Sequence, residues 1–107
     1  MKNITPIEFK NQIESDTNSV IIDCRTSIEW EEGIIENSIL LDLFESNNFM
    51  QESEKFDTTK NYYVYCRSGT RSITACQVLE SLGIKNTFNL LGGIMSWEHK
   101  VVPPNNK

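Results

Sequence analysis

Seven consecutive residues, Cys66-Arg67-Ser68-Gly69-Thr70-Arg71-Ser72, gather a thiol, two guanidinium groups, three hydroxyls and a glycine. The run ahead of them, Tyr62-Tyr63-Val64-Tyr65, is aromatic and β-branched and predicts a strand ending at Cys66. The run behind them, Arg71 to Leu82, predicts a helix with Ala75, Leu79 and Leu82 on one face and Gly83 just past its end. A cysteine at such a junction faces the N–H groups of a tight loop, which can form an anion-binding nest. It also faces the positive end of the following helix. Arg67 and Arg71 lie within five residues of it. All three influences favour thiolate over thiol, and the thiolate is the nucleophile. Gly69 lets the loop turn its N–H groups inward without a Cβ in the way. A pocket of this kind suits a small dianion: a thiosulfonate, phosphate or arsenate. The plainer alternative is a buried cysteine filling space at a strand end. The coincidence of strand, thiol, glycine turn, arginine pair and helix favours chemistry.

The remaining elements set the frame. Ile4-Thr5-Pro6-Ile7-Glu8-Phe9 is a helix start, with Thr5 as N-cap, Pro6 at N1 and Glu8 closing a capping box. Ile4 and Phe9 stand where a hydrophobic staple needs them, and Ile13 continues the face of Phe9. Val20 to Cys24 reads as a short buried strand. Thr26 and Glu29 form a second capping box, opening a short helix that Gly33 can end. Ile35 to Leu43 predicts another strand, and Asn47 to Phe56 a short helix. Thr87 to Leu90 predicts a strand, Gly92-Gly93 a turn, and Ile94 to about Lys100 a last helix that Pro103-Pro104 cannot extend. Strands alternating with helices at this spacing imply an α/β fold, a mainly parallel central sheet with helices on both faces. In open sheets of that kind, ligands sit beyond the carboxyl ends of the strands.

Composition bounds the partners. The 107 residues suit one domain, spanning 1–107. Ten Lys and Arg against fifteen Asp and Glu give a formal net charge of −5. A surface that acidic repels phosphate backbones and anionic lipid, so neither nucleic acid nor membrane is an expected partner. No secretory leader is evident behind Lys2, and the apolar clusters fall far short of the ~20 residues that span a bilayer. The cysteines are Cys24, Cys66 and Cys76, an odd number with no C-x-x-C pair. That fits neither a disulfide framework nor a zinc site, and a reducing cytoplasm is the expected location.

With those motifs in place, the chain resembles the single-domain rhodaneses, thiosulfate-type sulfurtransferases. The resemblance runs through Asp23-Cys24-Arg25, through Glu29-Trp30-Glu31-Glu32-Gly33-Ile34-Ile35-Glu36-Asn37-Ser38, through Cys66 to Ser72, and through Leu90-Leu91-Gly92-Gly93-Ile94-Met95-Ser96-Trp97. It implies a rhodanese-like fold and a ping-pong cycle. The Cys66 thiolate takes sulfane sulfur from an anionic donor such as thiosulfate and becomes a persulfide. A thiophilic acceptor (cyanide, a thiol or a partner protein) then removes it. Arg67 and Arg71 would bind the donor, and the loop amides of Ser68, Gly69, Thr70 and Arg71 would hold the persulfide. Asp23, Arg25 and Ser72 would support the site from behind. No metal and no organic cofactor is implied.

Two alternatives accompany that resemblance. One is a sulfur-carrier or non-catalytic module acting with a partner protein. The other is a Cys-dependent phosphatase or arsenate reductase. Those enzymes use C-x5-R on related folds, to wrap a tetrahedral phosphoryl group. Cys66 to Arg71 is C-x4-R, a shorter loop better suited to attack on sulfur. Two positions depart from the family pattern. Ile34 stands where the family has His, and Asn37-Ser38 where it has Gly-Ala, which puts local loop geometry in question.

Other residues have plainer expectations. Arg25 can pair with Glu29 at i+4, an exposed pair contributing only ~0.3–0.5 kcal/mol. Asp23 can accept hydrogen bonds near the Cys66 loop. Cys24 and Cys76 read as packing, with a smaller claim for Cys24 as a resolving thiol. His99 reads as a solvated surface residue, and Trp30 and Trp97 as anchors in or near the core.

Overall fold

The β-branched and aromatic runs pair side by side into one sheet. The structure, a computed structural model, describes residues 1–104. In chain order the elements are β1 (Lys2–Ile4), α1 (Pro6–Ser15), β2 (Ser19–Asp23), α2 (Ser27–Trp30), β3 (Ser38–Leu40), α3 (Ser46–Ser53), β4 (Asn61–Tyr65), α4 (Arg71–Ser81) and β5 (Asn86–Leu90), followed by a single 3-10 turn at Gly93–Ser96. The five strands lie in the order β1-β5-β4-β2-β3. Every pairing is parallel, with Asp23 opposite Tyr65 at the ends of β2 and β4.

Side chains alternate between the two faces, as a pleated strand dictates. Ile22, Cys24, Tyr62, Val64 and Cys66 face Phe49 of α3 and Ala75, Cys76 and Leu79 of α4. Ile21, Tyr63 and Tyr65 face Phe9 of α1, with Ile13 and Trp97 packed alongside. Helices therefore cover both faces. The central strands carry apolar residues on both sides because both sides are buried.

Both capping boxes form. Thr5 and Glu8 close the start of α1, and Thr26 and Glu29 the start of α2. Three elements differ from expectation. β1 is an added edge strand, unpredicted because only Ile4 of its three residues is buried. β3 spans three residues within the predicted Ile35–Leu43. The Ile35 N–H is taken by the Tyr65 hydroxyl at 3.0 Å, so it cannot join a ladder. The last helix stops after one 3-10 turn because Trp97 swings to extended backbone. Its ring then packs edge-on against Phe9, 5.8 Å between centroids.

The two departures from the family pattern are accommodated locally. Asn37 takes a φ of +71°, a left-handed conformation that asparagine tolerates. Ser38 Oγ hydrogen-bonds both the Ile35 carbonyl and the Tyr65 hydroxyl. Ile34 is buried and bridges Val102 through two backbone bonds of 2.8 Å. Among the described residues no helix is long and apolar enough to cross a membrane.

Candidate active site

Cys66 is the first residue beyond β4, and α4 begins five residues later. The chain between them curls so that its amides point back at the sulfur. Cys66 Sγ accepts from the Gly69 N–H at 3.2 Å and from the Ser72 N–H at 3.4 Å. Ser72 Oγ lies 3.3 Å away. On the sheet side stands Cys24, the first residue beyond β2. Its N–H donates to the Tyr65 carbonyl at 3.0 Å, which continues the β2–β4 register and sets Cys24 beside Cys66.

The two thiols are driven apart in acidity. The neighbouring Cys24 thiol leads the influences on Cys66; burial opposes it, and the Ser72 and Gly69 donors reinforce it. Together they hold the Cys66 thiol well below the ordinary range. The same proximity, with burial and the neighbouring Cys66 and Asp23 charges, pushes Cys24 up and keeps it a thiol. A charged sulfur in a buried place needs donors on it, and this one has them.

Behind Ser72 lies Asn89, a buried residue of β5. The Asn89 amide N–H groups donate to Asn3 Oδ1 at 2.9 Å and to the Gly69 carbonyl at 3.1 Å. Its carbonyl oxygen is thereby aimed at Ser72, whose hydroxyl donates to it. Ser72 has a single hydroxyl proton. A Cys66 thiol can donate to Ser72 while Ser72 donates to Asn89. A thiolate instead draws the Ser72 proton toward sulfur. The hydroxyl thus follows the charge state of Cys66.

The loop is held from behind by the Gly92-Gly93 turn. The Ile94 N–H donates to the Cys66 carbonyl at 2.9 Å and the Met95 N–H to the Arg67 carbonyl at 3.1 Å. Gly93 has a φ of +61°, and a Cβ there would stand 2.3 Å from the Arg67 carbonyl oxygen and 2.6 Å from the Ser68 nitrogen. Only glycine permits that approach.

Comparison with known proteins agrees with this geometry. The model of the rhodanese-like domain matches residues 5–100. The chain belongs to the rhodanese-like family. It is similar to the putative sulfurtransferase YtwF of Bacillus subtilis, at 34% identity over 105 residues and 98% of each chain. It is also similar to the putative mitochondrial thiosulfate sulfurtransferase of Schizosaccharomyces pombe, at 33% identity, covering 94% of this chain and 82% of that one. A rhodanese-like domain protein of Staphylococcus aureus has the same fold, with a TM-score of 0.83, 29% identity, and coverage of 98% of this chain and 100% of that one.

The arginines of this rhodanese domain sort into two kinds. Arg71 is clamped by Glu29, with both guanidinium nitrogens 2.8 Å from the two carboxylate oxygens. Glu29 Oε1 also takes the Thr26 N–H and hydroxyl, so the glutamate of the α2 capping box is the orienter of Arg71. Arg71 is the first cause that pulls the Glu29 carboxyl down to about 2. The Arg71 guanidinium also lies over the Phe44 ring, 5.5 Å from its centroid. Arg67 is 53% exposed, with its nearest carboxylate, Glu32, at 3.8 Å.

Arg25 corrects the expected pairing. It does not meet Glu29; it is 2% exposed and forks onto Asp23 at 2.7–3.1 Å, with a further bond of 2.7 Å to the Gly33 carbonyl. Asp23 sits closer in sequence and on the buried side, so it captures the guanidinium while Glu29 goes to Arg71. Asp23 correspondingly spends its oxygens on the Arg25 guanidinium and the Arg25 N–H, and not on the Cys66 loop.

Of the four loop amides expected at the sulfur, the Gly69 N–H reaches it, and so does the N–H of Ser72, a residue expected only behind the site. Among the described residues, the N–H groups of Ser68, Thr70 and Arg71 donate to no protein group. Sequence reasoning missed Asn89, and it missed Glu29 as the Arg71 clamp. Asn89 leaves one trace in the sequence, a polar residue at an inward position of a predicted strand. Cys76 is buried on α4 in the same core cluster, where burial raises it to about 12, as suits packing. The His99 ring rests edge-on against Trp97, 5.0 Å between centroids.

Proposed function

We propose that this protein moves sulfane sulfur from thiosulfate, or a like anionic donor, to a thiophilic acceptor through a persulfide on Cys66. The observation that carries the reading is the Cys66 sulfur seated among inward N–H donors at the start of α4. The Cys66 thiolate attacks the outer sulfur of thiosulfate. A Cys66–sulfur bond forms, the sulfur–sulfur bond of the donor breaks, and sulfite leaves with the electron pair. One thiolate and one dianion become one persulfide anion and one dianion, so the charge balances. No general base is required, because the nucleophile is already ionised.

Arg67, exposed at the rim, draws in the dianion, and Arg71, fixed by Glu29, sets its orientation. The open amides of Ser68, Thr70 and Arg71 take up charge on the new outer sulfur. Cyanide, a thiol or a partner protein removes that sulfur and returns Cys66. The C-x4-R loop, and the thiosulfate in the name of the S. pombe relative, support sulfur over phosphorus. A reducing, cytoplasmic setting, which keeps the nucleophile a free thiol between turnovers, belongs to the same proposal.

Mass spectrometry of the intact chain after thiosulfate and brief quenching tests the reading. It is expected to show the gain of one sulfur on Cys66 with one equivalent of sulfite, and thiocyanate on adding cyanide. Cys66→Ser is expected to lose thiocyanate formation by at least about 10³-fold. Absence of sulfite and thiocyanate from the wild type, or turnover of an aryl phosphate instead, overturns it.

A further inference from the structure

Cys24 and Cys66 are register neighbours on adjacent parallel strands, each the first residue past its strand's end. Both thiols lie on the same face of the sheet, in the same buried cluster, and both are reduced. Adjacent strands run about 5 Å apart. A disulfide spans about 4.4–6.8 Å between Cα atoms. The pair can close without moving either strand out of register.

Cys24 is fully buried, so no bulky acceptor or reagent reaches it directly. The one reactive sulfur it can meet is the one bound to its neighbour. We infer that Cys24 is a resolving thiol: it attacks the Cys66 persulfide, closes a Cys24–Cys66 disulfide and expels sulfide. This gives the protein a second outlet for sulfur, as a thiosulfate-to-sulfide reductant, and it rests on the persulfide proposed above.

The step balances without an outside oxidant. Cys24 Sγ bonds to Cys66 Sγ, and the bond from Cys66 Sγ to the outer sulfur breaks. The electron pair leaves on the outer sulfur, which is reduced from sulfane sulfur to sulfide. The two cysteine sulfurs are oxidised to the disulfide. The Cys24 proton leaves with the sulfide as HS⁻, so one persulfide anion and one thiol give one disulfide and one anion. Cys24 comes in along the sheet from β2, whereas the amides of Gly69 and Ser72 come from the loop and α4. The disulfide returns to two thiols by exchange with a dithiol reductant, which supplies two electrons. An acceptor such as cyanide competes with Cys24 for the same persulfide.

The full chain, reduced and freed of reductant, is mixed with thiosulfate and no acceptor. The expected result is one equivalent of sulfite followed by one of sulfide. The mass falls by two hydrogens, a peptide joins Cys24 to Cys66, and dithiothreitol restores both thiols. Cys24→Ser, which keeps a hydroxyl donor beside Cys66, releases sulfite and stops at the persulfide, losing the sulfide; Cys24→Ala, which also removes the leading donor to Cys66, releases sulfite more slowly and likewise yields no sulfide. Cys76→Ala behaves as wild type. A wild-type chain that releases sulfite, keeps the added sulfur and yields no sulfide overturns the inference and leaves sulfur transfer standing. A disulfide that maps to Cys76 also overturns it. No sulfite at all overturns both. The wild-type masses decide the matter even if neither Cys24 variant folds.

Discussion

Two neighbouring parallel strands each run out into the same dipeptide, Cys24-Arg25 after β2 and Cys66-Arg67 after β4. The two copies differ in every chemical respect. Cys24 is held as a thiol and Cys66 as a thiolate. Arg25 is 2% exposed and locked on Asp23, whereas Arg67 is 53% exposed with only a loose surface ion pair to Glu32 at 3.8 Å. The difference comes from the residues just downstream of each dipeptide. After Arg25 the chain enters a capping box, where the Thr26 and Glu29 N–H groups are satisfied by one another's side chains. After Arg67 it enters a glycine loop whose Gly69 and Ser72 amides turn back to the sulfur. Residue identity sets what a site can do; the destination of the next few N–H groups sets which copy does it.

Removing each arginine in turn puts that contrast at greatest risk. Arg25→Ala leaves Asp23 buried and unpaired and is expected to cost about 3–5 kcal/mol in denaturant unfolding. Arg67→Ala is expected to cost less than about 0.5 kcal/mol while raising the thiosulfate KM. Equal losses of stability would erase the distinction. Gly93→Ala is next. Its Cβ must displace the Arg67 carbonyl, so kcat/KM for thiosulfate should fall by about 10²-fold, the scale of an ångström-level misplacement. Near-normal turnover would show that the turn does not hold the loop.

Glu29→Gln weakens the clamp on Arg71, and the thiosulfate KM is expected to rise about tenfold, the loss of one charge-assisted hydrogen bond. An unchanged KM would free Arg71 from that dependence. The smallest change is expected from pH. The Cys66 pKa is lowered, so its thiolate fraction stays full as pH falls, until pH nears that lowered value. The rate of sulfite release should therefore be flat from about pH 8 to pH 6, where an ordinary thiol would lose nearly a hundredfold. A rate that tracks an ordinary thiol would remove the contrast between the two cysteines.

What could be read in the sequence was what neighbours in the chain decide. Thr5 with Glu8 and Thr26 with Glu29 satisfy each other within one turn, so both helix starts were legible. Cys66, the glycine loop and α4 were legible for the same reason. Partner choice between elements was not. The i+4 spacing points Glu29 to Arg25, and only the approach of α2 to α4 sends it to Arg71. Asn89 lies 17 residues from Ser72 and reaches it through the β4–β5 pairing. The nearness of Cys24 to Cys66 exists only once β2 and β4 are in register. The edge strand β1 and the curtailed last helix depend on Ile4 and Trp97 finding the α1 side of the sheet.

The Gly92-Gly93 turn presses on the Cys66 loop from a part of the chain synthesised later, and Asn89 reaches Ser72 from β5. A nascent chain therefore exposes its nucleophile before the backbone that shapes the loop around it has left the ribosome. Until β5 docks between β1 and β4, Asn89 and the turn are absent from the site. A half-made chain therefore carries the cysteine without the two supports that lie behind its loop.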